Sequence, residues 1–136
     1  GLLDGFAREN RAPVLVTIHT FTPVYLGQTR RVELGILHDS DARLADEMLR
    51  VAPQHTRLVT LRNEPYGPQD GVTHTLQMQA LPRGILNVMV EIRNDLVVSA
   101  EQQSEVARDL ASLLRSALVS VAPSVDSPQL AAGAKA

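Results

Sequence analysis

Hydrophobic positions along this chain follow two periods. The run Val14-Leu15-Val16-Thr17-Ile18 is β-branched and almost continuously apolar, the pattern of a strand covered on both faces. Leu86-Asn87-Val88-Met89-Val90-Glu91-Ile92 repeats it, Arg31 to Leu37 alternates more strictly, and Leu58-Val59-Thr60-Leu61 makes a short fourth strand. Between these runs the period becomes helical. Leu2, Leu3 and Phe6 predict a short helix within residues 1–10, closed by Pro13. Asp39-Ser40-Asp41 offers N-caps to a helix carrying Leu44, Ala45, Met48 and Leu49, which Pro53 ends. The longest helix comes last: Ser99 and Gln102 form a capping box, and Val106, Leu110, Leu113, Leu114, Ala117, Leu118 and Val121 fall on one stripe. From Pro123 onward Ala, Ser, Pro and Gly dominate, a composition that buries too little to offset its ordering entropy. A folded part over residues 1–121 and a disordered tail over 122–136 are therefore expected.

Strands alternating with helices predict an α/β layer structure around a mixed, largely parallel central sheet. In such sheets ligands collect in the crevice at the carboxyl ends of the strands.

Composition narrows the function. With 136 residues and 44% hydrophobic content, one ordinary domain with a real core is the prior. The chain has no Cys, which removes disulfides, thiolate metal sites and thiol nucleophiles, and points to a reducing, cytoplasmic setting. No run approaches the roughly 20 apolar residues of a membrane span, and the amino-terminal residues lack the pattern of a signal peptide. A formal charge of −2, with Arg residues scattered, gives no basic field for nucleic acid or an anionic membrane. Two Phe and two Tyr, with no Trp, offer no platform for stacking bases.

Few residues carry chemistry. His19 directly follows the first apolar run, where a neutral imidazole is a ready metal ligand and equally a structural residue. Glu91 is the sharper anomaly, a carboxylate inside an apolar strand whose burial would cost several kcal/mol, order of magnitude, without a charge or metal nearby. It either faces solvent or pairs with an Arg such as Arg93, or it acts as a general base beside a metal-activated water. Asn63-Glu64-Pro65-Tyr66-Gly67 is a turn after a strand, with Asn63, Tyr66 and Arg62 as possible donors to a substrate carboxylate. His38, His55 and His74 form no metal-binding pair with each other or with His19, and neither a phosphate loop nor a nucleophile elbow is present.

Three segments read in order carry a resemblance. Ile18-His19-Thr20-Phe21-Thr22-Pro23, Asn63-Glu64-Pro65-Tyr66 and Glu91-Ile92-Arg93-Asn94-Asp95-Leu96 are similar to the I-H-S-F-T-P, D-N-E-P-Y and E-I-R-N/Q-D-L motifs of the N-formylglutamate amidohydrolase family. Leu34-Gly35-Ile36-Leu37-His38-Asp39 and Asp70-Gly71-Val72-Thr73-His74-Thr75-Leu76 resemble two further patterns of that family. The resemblance implies a partial zinc carboxypeptidase-like, three-layer α/β/α fold and hydrolysis of the N-formyl or N-acyl amide of an acidic amino acid. It implies that His19 is a zinc ligand, that Glu91 activates the water, that Asn63 and Tyr66 lie at the substrate pocket, and that Arg93 is a supporting or carboxylate partner. Arg62 stands where the family usually has Asp, His74 where it has Tyr, and Gln79 where His is common. The family's other His, its acidic ligand and its D-x-N-R motif lie upstream of the residues matched here. Two other readings remain at this point: a non-catalytic or truncated homologue acting as a binding module, and another zinc amidase of the same fold.

Overall fold

The computed structural model describes residues 13–121. The helix expected over residues 1–10 and the tail expected to be disordered lie outside the described residues. Among the described residues six strands form: β1 (Leu15–Phe21), β2 (Val24–Tyr25), β3 (Gln28–Thr29), β4 (Leu34–Leu37), β5 (Thr60–Arg62) and β6 (Asn87–Arg93). Among the described residues three α-helices accompany them: α1 (Arg43–Val51), α2 (His74–Gln79) and α3 (Ala100–Val121).

The main sheet has the order β1-β6-β4-β5, and β2 and β3 form a separate hairpin. β1 pairs parallel with β6, and β4 parallel with β5, while β4 and β6 are antiparallel. The sheet is thus mixed and largely parallel, as expected, but its two parallel pairs run in opposite senses. The carboxyl ends of β1 and β6 lie at one end of the sheet, and those of β4 and β5 at the other.

Alternation along the strands divides the two faces. Val16, Leu34, Ile36, Val88, Val90 and Ile92 pack on one face against Leu44, Ala45, Met48 and Val51 of α1 and the Val106 to Leu118 stripe of α3. The opposite face carries Leu37 and Met89, covered by Leu76 of α2 with Tyr66 and Val72. This arrangement is a partial three-layer α/β/α domain. The capping box that starts α3 forms in both directions: Gln102 N donates to Ser99 Oγ at 3.1 Å, and Ser99 N to Gln102 Oε1 at 3.0 Å.

Two strands are shorter than the apolar pattern predicts, for one reason. The Val59 carbonyl accepts from both Glu33 N and Leu34 N, and Val59 N donates to the Glu33 carboxylate at 2.8 Å. Two residues of one strand therefore oppose one of the other, and the regular ladder starts only at Leu34 and Thr60. The β2–β3 hairpin has no counterpart in the periodicity, because Leu26 and Gly27 both adopt positive φ (51° and 77°) without the Asn-Gly signal such turns usually carry.

Candidate functional site

In the parallel pairing of β1 with β6, His19 stands opposite Glu91, so both side chains leave the same face of the sheet. His19 lies within β1, not just after it, and is exposed. Glu91 is only 4% exposed, and its Oε2 is buried with no hydrogen-bond partner. Burial pushes the Glu91 carboxyl above its ordinary value, against the opposing pull of His19 first and Arg30 second. Arg93 does not neutralise it: that guanidinium holds Asp95 at 2.8 Å and lies 3.7 Å from Glu33. Glu91 therefore neither faces solvent nor pairs with Arg93, and the Arg whose charge acts on it is Arg30.

The loop after β5 reaches this face by doubling back. Asn63 takes φ of 49°, and its Oδ1 accepts from His38 N at 3.0 Å, fixing the loop to the far end of β4. The chain then crosses the sheet over Gly35, whose partner on β6 is Glu91. A Cβ on Gly35 would collide with the Glu64 carbonyl oxygen, so the bare glycine is what lets the cis Glu64–Pro65 peptide lie against the sheet one strand from Glu91. Tyr66 follows, and its hydroxyl accepts from Arg30 Nη2 at 3.2 Å.

Arg30 is the residue that sequence reasoning missed. Its guanidinium carbon sits 4.8 Å from the ring centroid of Tyr25, 5.2 Å from that of Tyr66 and 5.6 Å from that of Phe21. Arg93 Nη1 donates to the Arg30 carbonyl at 3.0 Å, so Arg93 braces the backbone that carries this cation. A cleft of about 710 Å³ opens beside Arg30, lined by Tyr25, Arg30, Glu64, Pro65, Tyr66 and Asp70 among others, with His19 and Glu91 outside its lining.

Arg62 is not brought to this group. In register with Ile36 it projects from the helix-bearing face, where Nη1 pairs with Asp46 of α1 at 2.7 Å and donates to His38 Nε2 at 2.9 Å. A strand residue one step from Leu61 must point to the opposite face, so Arg62 does not line the cleft beside Arg30. His38 Nδ1 lies 2.7 Å from the Asp39 carbonyl, and His55 Nδ1 lies 2.6 Å from Ser112 Oγ, so neither is joined to His19. Among the described residues no group of three or more His, Asp or Glu side chains is placed to hold a metal ion, and no helix is long and apolar enough to cross a membrane.

Asp39 braces the far side of the site. Its carboxylate accepts from the fully buried Thr73 hydroxyl at 2.7 Å, from Gln77 Nε2 at 2.8 Å and from Ser40 N at 2.8 Å, tying the end of β4 to α2. The Thr73 bond is the largest cause holding the Asp39 carboxyl below its ordinary value, so its stabilisation is present above that value, near 3.8, and is lost as pH falls through the lowered one. Asp39→Ala should cost roughly 1–3 kcal/mol at neutral pH by leaving Thr73 without a partner. Urea unfolding should show that difference shrinking toward pH 3; a constant difference would mean that the carboxylate's charge is irrelevant.

Comparison with known proteins follows the same residues. The family model described as N-formylglutamate amidohydrolase matches residues 1–98. The crystal structure of a gene product from Agrobacterium tumefaciens is similar with a TM-score of 0.85 and 52% identity, over 88% of this chain and 47% of that one. The chain thus spans about half the length of that relative. No curated protein matches.

Proposed function

This chain belongs to the N-formylglutamate amidohydrolase family, and from that premise we propose that it forms the carboxyl-terminal part of a zinc-dependent hydrolase cleaving the N-formyl or N-acyl amide of glutamate or a similar acidic amino acid. The observation that carries the reading is the pair His19 and Glu91, set side by side on one face with a buried carboxylate oxygen that has no partner. Such an oxygen fits a site where another group arrives to use it.

His19 would hold the metal through a ring nitrogen. Catalytic zinc normally takes three protein ligands, so two more donors must join His19 from outside the described residues; in the resembling family they lie upstream. When bound, the metal supplies a Lewis acid that acidifies water and polarises the acyl oxygen. Glu91 removes the proton from the attacking water and returns it to the leaving nitrogen. Tyr66 and the Glu64–Pro65 peptide wall the substrate side, and the Asn63 side chain acts indirectly, fixing the loop through His38.

The test is formate release from N-formyl-L-glutamate by the full-length protein. Turnover should vanish after chelation and return with about one zinc per protein. If a protein loaded with zinc releases no formate or other acyl acid across a panel of N-acyl amino acids, the amidohydrolase reading is wrong and a binding module takes its place.

A further inference from the structure

We propose that Arg30 is the residue that selects an acidic substrate, its guanidinium receiving a carboxylate of the amino-acid moiety while the acyl group lies toward Glu91; the inference rests on the amidohydrolase reading above.

Four other Arg side chains of the described residues, Arg43, Arg50, Arg62 and Arg93, each hold an acidic partner at 2.7–2.8 Å. Arg30 has none among the described residues. Its two side-chain hydrogen-bond partners are neutral: Nη1 donates to the Thr22 carbonyl and Nη2 to the Tyr66 hydroxyl, both at 3.2 Å. A guanidinium has five N–H donors, so several remain for a ligand. Nor is Arg30 a freely solvated cation like the exposed Arg31, Arg57 and Arg108. Three ring faces hold it, and its backbone is fixed at both ends, with Arg30 N donating to the Pro23 carbonyl at 2.8 Å and Arg93 to its own carbonyl. Rings that shed water from the cation strengthen its attraction for an anion and reduce the entropy lost on binding one.

Position supplies the rest. Arg30 lines a cleft of about 710 Å³, within the range that takes a small molecule. It stacks on Phe21, two residues beyond His19 on the same face, and is close enough to Glu91 to favour that carboxylate's charged form. The cleft has two acidic members: Asp70 is engaged by the Gly67 N–H at 2.8 Å, and Glu64 is exposed to solvent. A planar carboxylate matches the fork of Arg, which can bind it through two parallel bonds where Lys offers a point charge.

The experiment compares wild type, Arg30→Gln and Arg30→Lys in the full-length, zinc-loaded protein, with N-formyl-L-glutamate, its γ-amide and its α-amide as substrates, and adds calorimetric binding of N-formyl-L-glutamate to the metal-free protein. Both variants should raise KM for the diacid by about 10- to 100-fold, as the loss of one charge-assisted contact predicts. For whichever amide lacks the contacted carboxylate, wild type and variants should differ by less than about threefold. Arg30→Lys keeps the cation over the rings, so it reports even if Arg30→Gln does not fold. Equal losses on all three substrates, or a shifted acid limb of the pH profile with KM unchanged, would overturn the proposal and make Arg30 a positioning residue for Glu91. Binding separates the two ideas: wild type that binds the diacid without turnover, and loses it in Arg30→Lys, leaves Arg30 standing while the catalytic reading falls. Turnover with normal diacid KM in both variants does the reverse.

Discussion

Glu91→Gln in the full-length protein should lower kcat by about two to four orders of magnitude, the usual worth of a positioned general base, while zinc content and diacid binding stay near wild type. The substitution keeps shape and volume and removes only the ability to take up a proton. The same change should raise the thermal midpoint of the metal-free protein. Glu91 is 4% exposed, and burial raises its carboxyl above the ordinary value of 4.5, with His19 and Arg30 only partly opposing. A folded-state value above the unfolded one means that the folded chain binds the proton more tightly. The stability this group contributes is then present below about 4.5 and is lost as pH rises through the raised value. Gln does not titrate, so its advantage over Glu should be absent at acid pH, grow through that window and level off above it. Melting curves from pH 4 to 8 together with single-turnover rates check both halves. A variant that is slower but also less stable at pH 8 would show that Glu91 is retained for packing, and one with near-normal turnover would remove it from the reaction.

That opposition of stability and function is also why Glu91 could be read from the sequence. An acidic residue inside Val88-Met89-Val90-Glu91-Ile92 breaks the local pattern, and residues that break it without structural benefit tend to serve chemistry. His19, expected just after the first apolar run, lies inside that strand, and the parallel register that sets it beside Glu91 is a feature of the fold that the run itself does not record. The general rule that ligands gather at carboxyl strand ends did not carry over to Asn63. β4 and β5 run against β1 and β6, so the end of β5 lies at the wrong edge, and the loop must fold back across the sheet to reach the site. Strand direction depends on pairing between distant segments, and no local pattern records it. The expected strand at Arg31 fails at Glu33 for a similar reason, since its side chain and the Val59 carbonyl replace the ladder.

Arg30 was illegible for a stronger reason. The chain has two Phe and two Tyr, too few to suggest any aromatic surface. Yet Phe21, Tyr25 and Tyr66 converge on one cation, delivered from β1, from a hairpin turned through two positive-φ residues, and from a loop 36 positions away. Scarcity in the composition says nothing about concentration in space. What the sequence did contain was the fold-back loop's requirement for a bare strand position, although Gly35 reads there as no more than a weak β-former.

Gly35→Ala is therefore expected to damage stability and activity together, although it is the smallest change available in β4. The new methyl would collide with the Glu64 carbonyl oxygen and would also lie 3.0 Å from Leu37 Cδ1. Leu37 can rotate. The Glu64 oxygen cannot, because it belongs to a backbone held on one side by Asn63 and His38 and on the other by Tyr66 and Arg30. Relief must come from lifting the Asn63 to Tyr66 loop off the sheet, and overpacking of this kind costs roughly 1–3 kcal/mol. The lifted loop would carry the Tyr66 hydroxyl and ring away from Arg30 and widen the wall beside Glu91, so kcat/KM for the diacid should fall by about tenfold or more. Gly84→Ala is the matched control: it has φ of 63° with nothing within 4 Å of an added Cβ, and lies away from the site. Backbone strain alone should cost it roughly 1–2 kcal/mol without loss of turnover. Urea midpoints and diacid kinetics on the two variants separate local strain from loop displacement. If Gly35→Ala matched Gly84→Ala in both measurements, the loop would not be held against the sheet as described, and Tyr66 could not be part of the wall that presents Arg30.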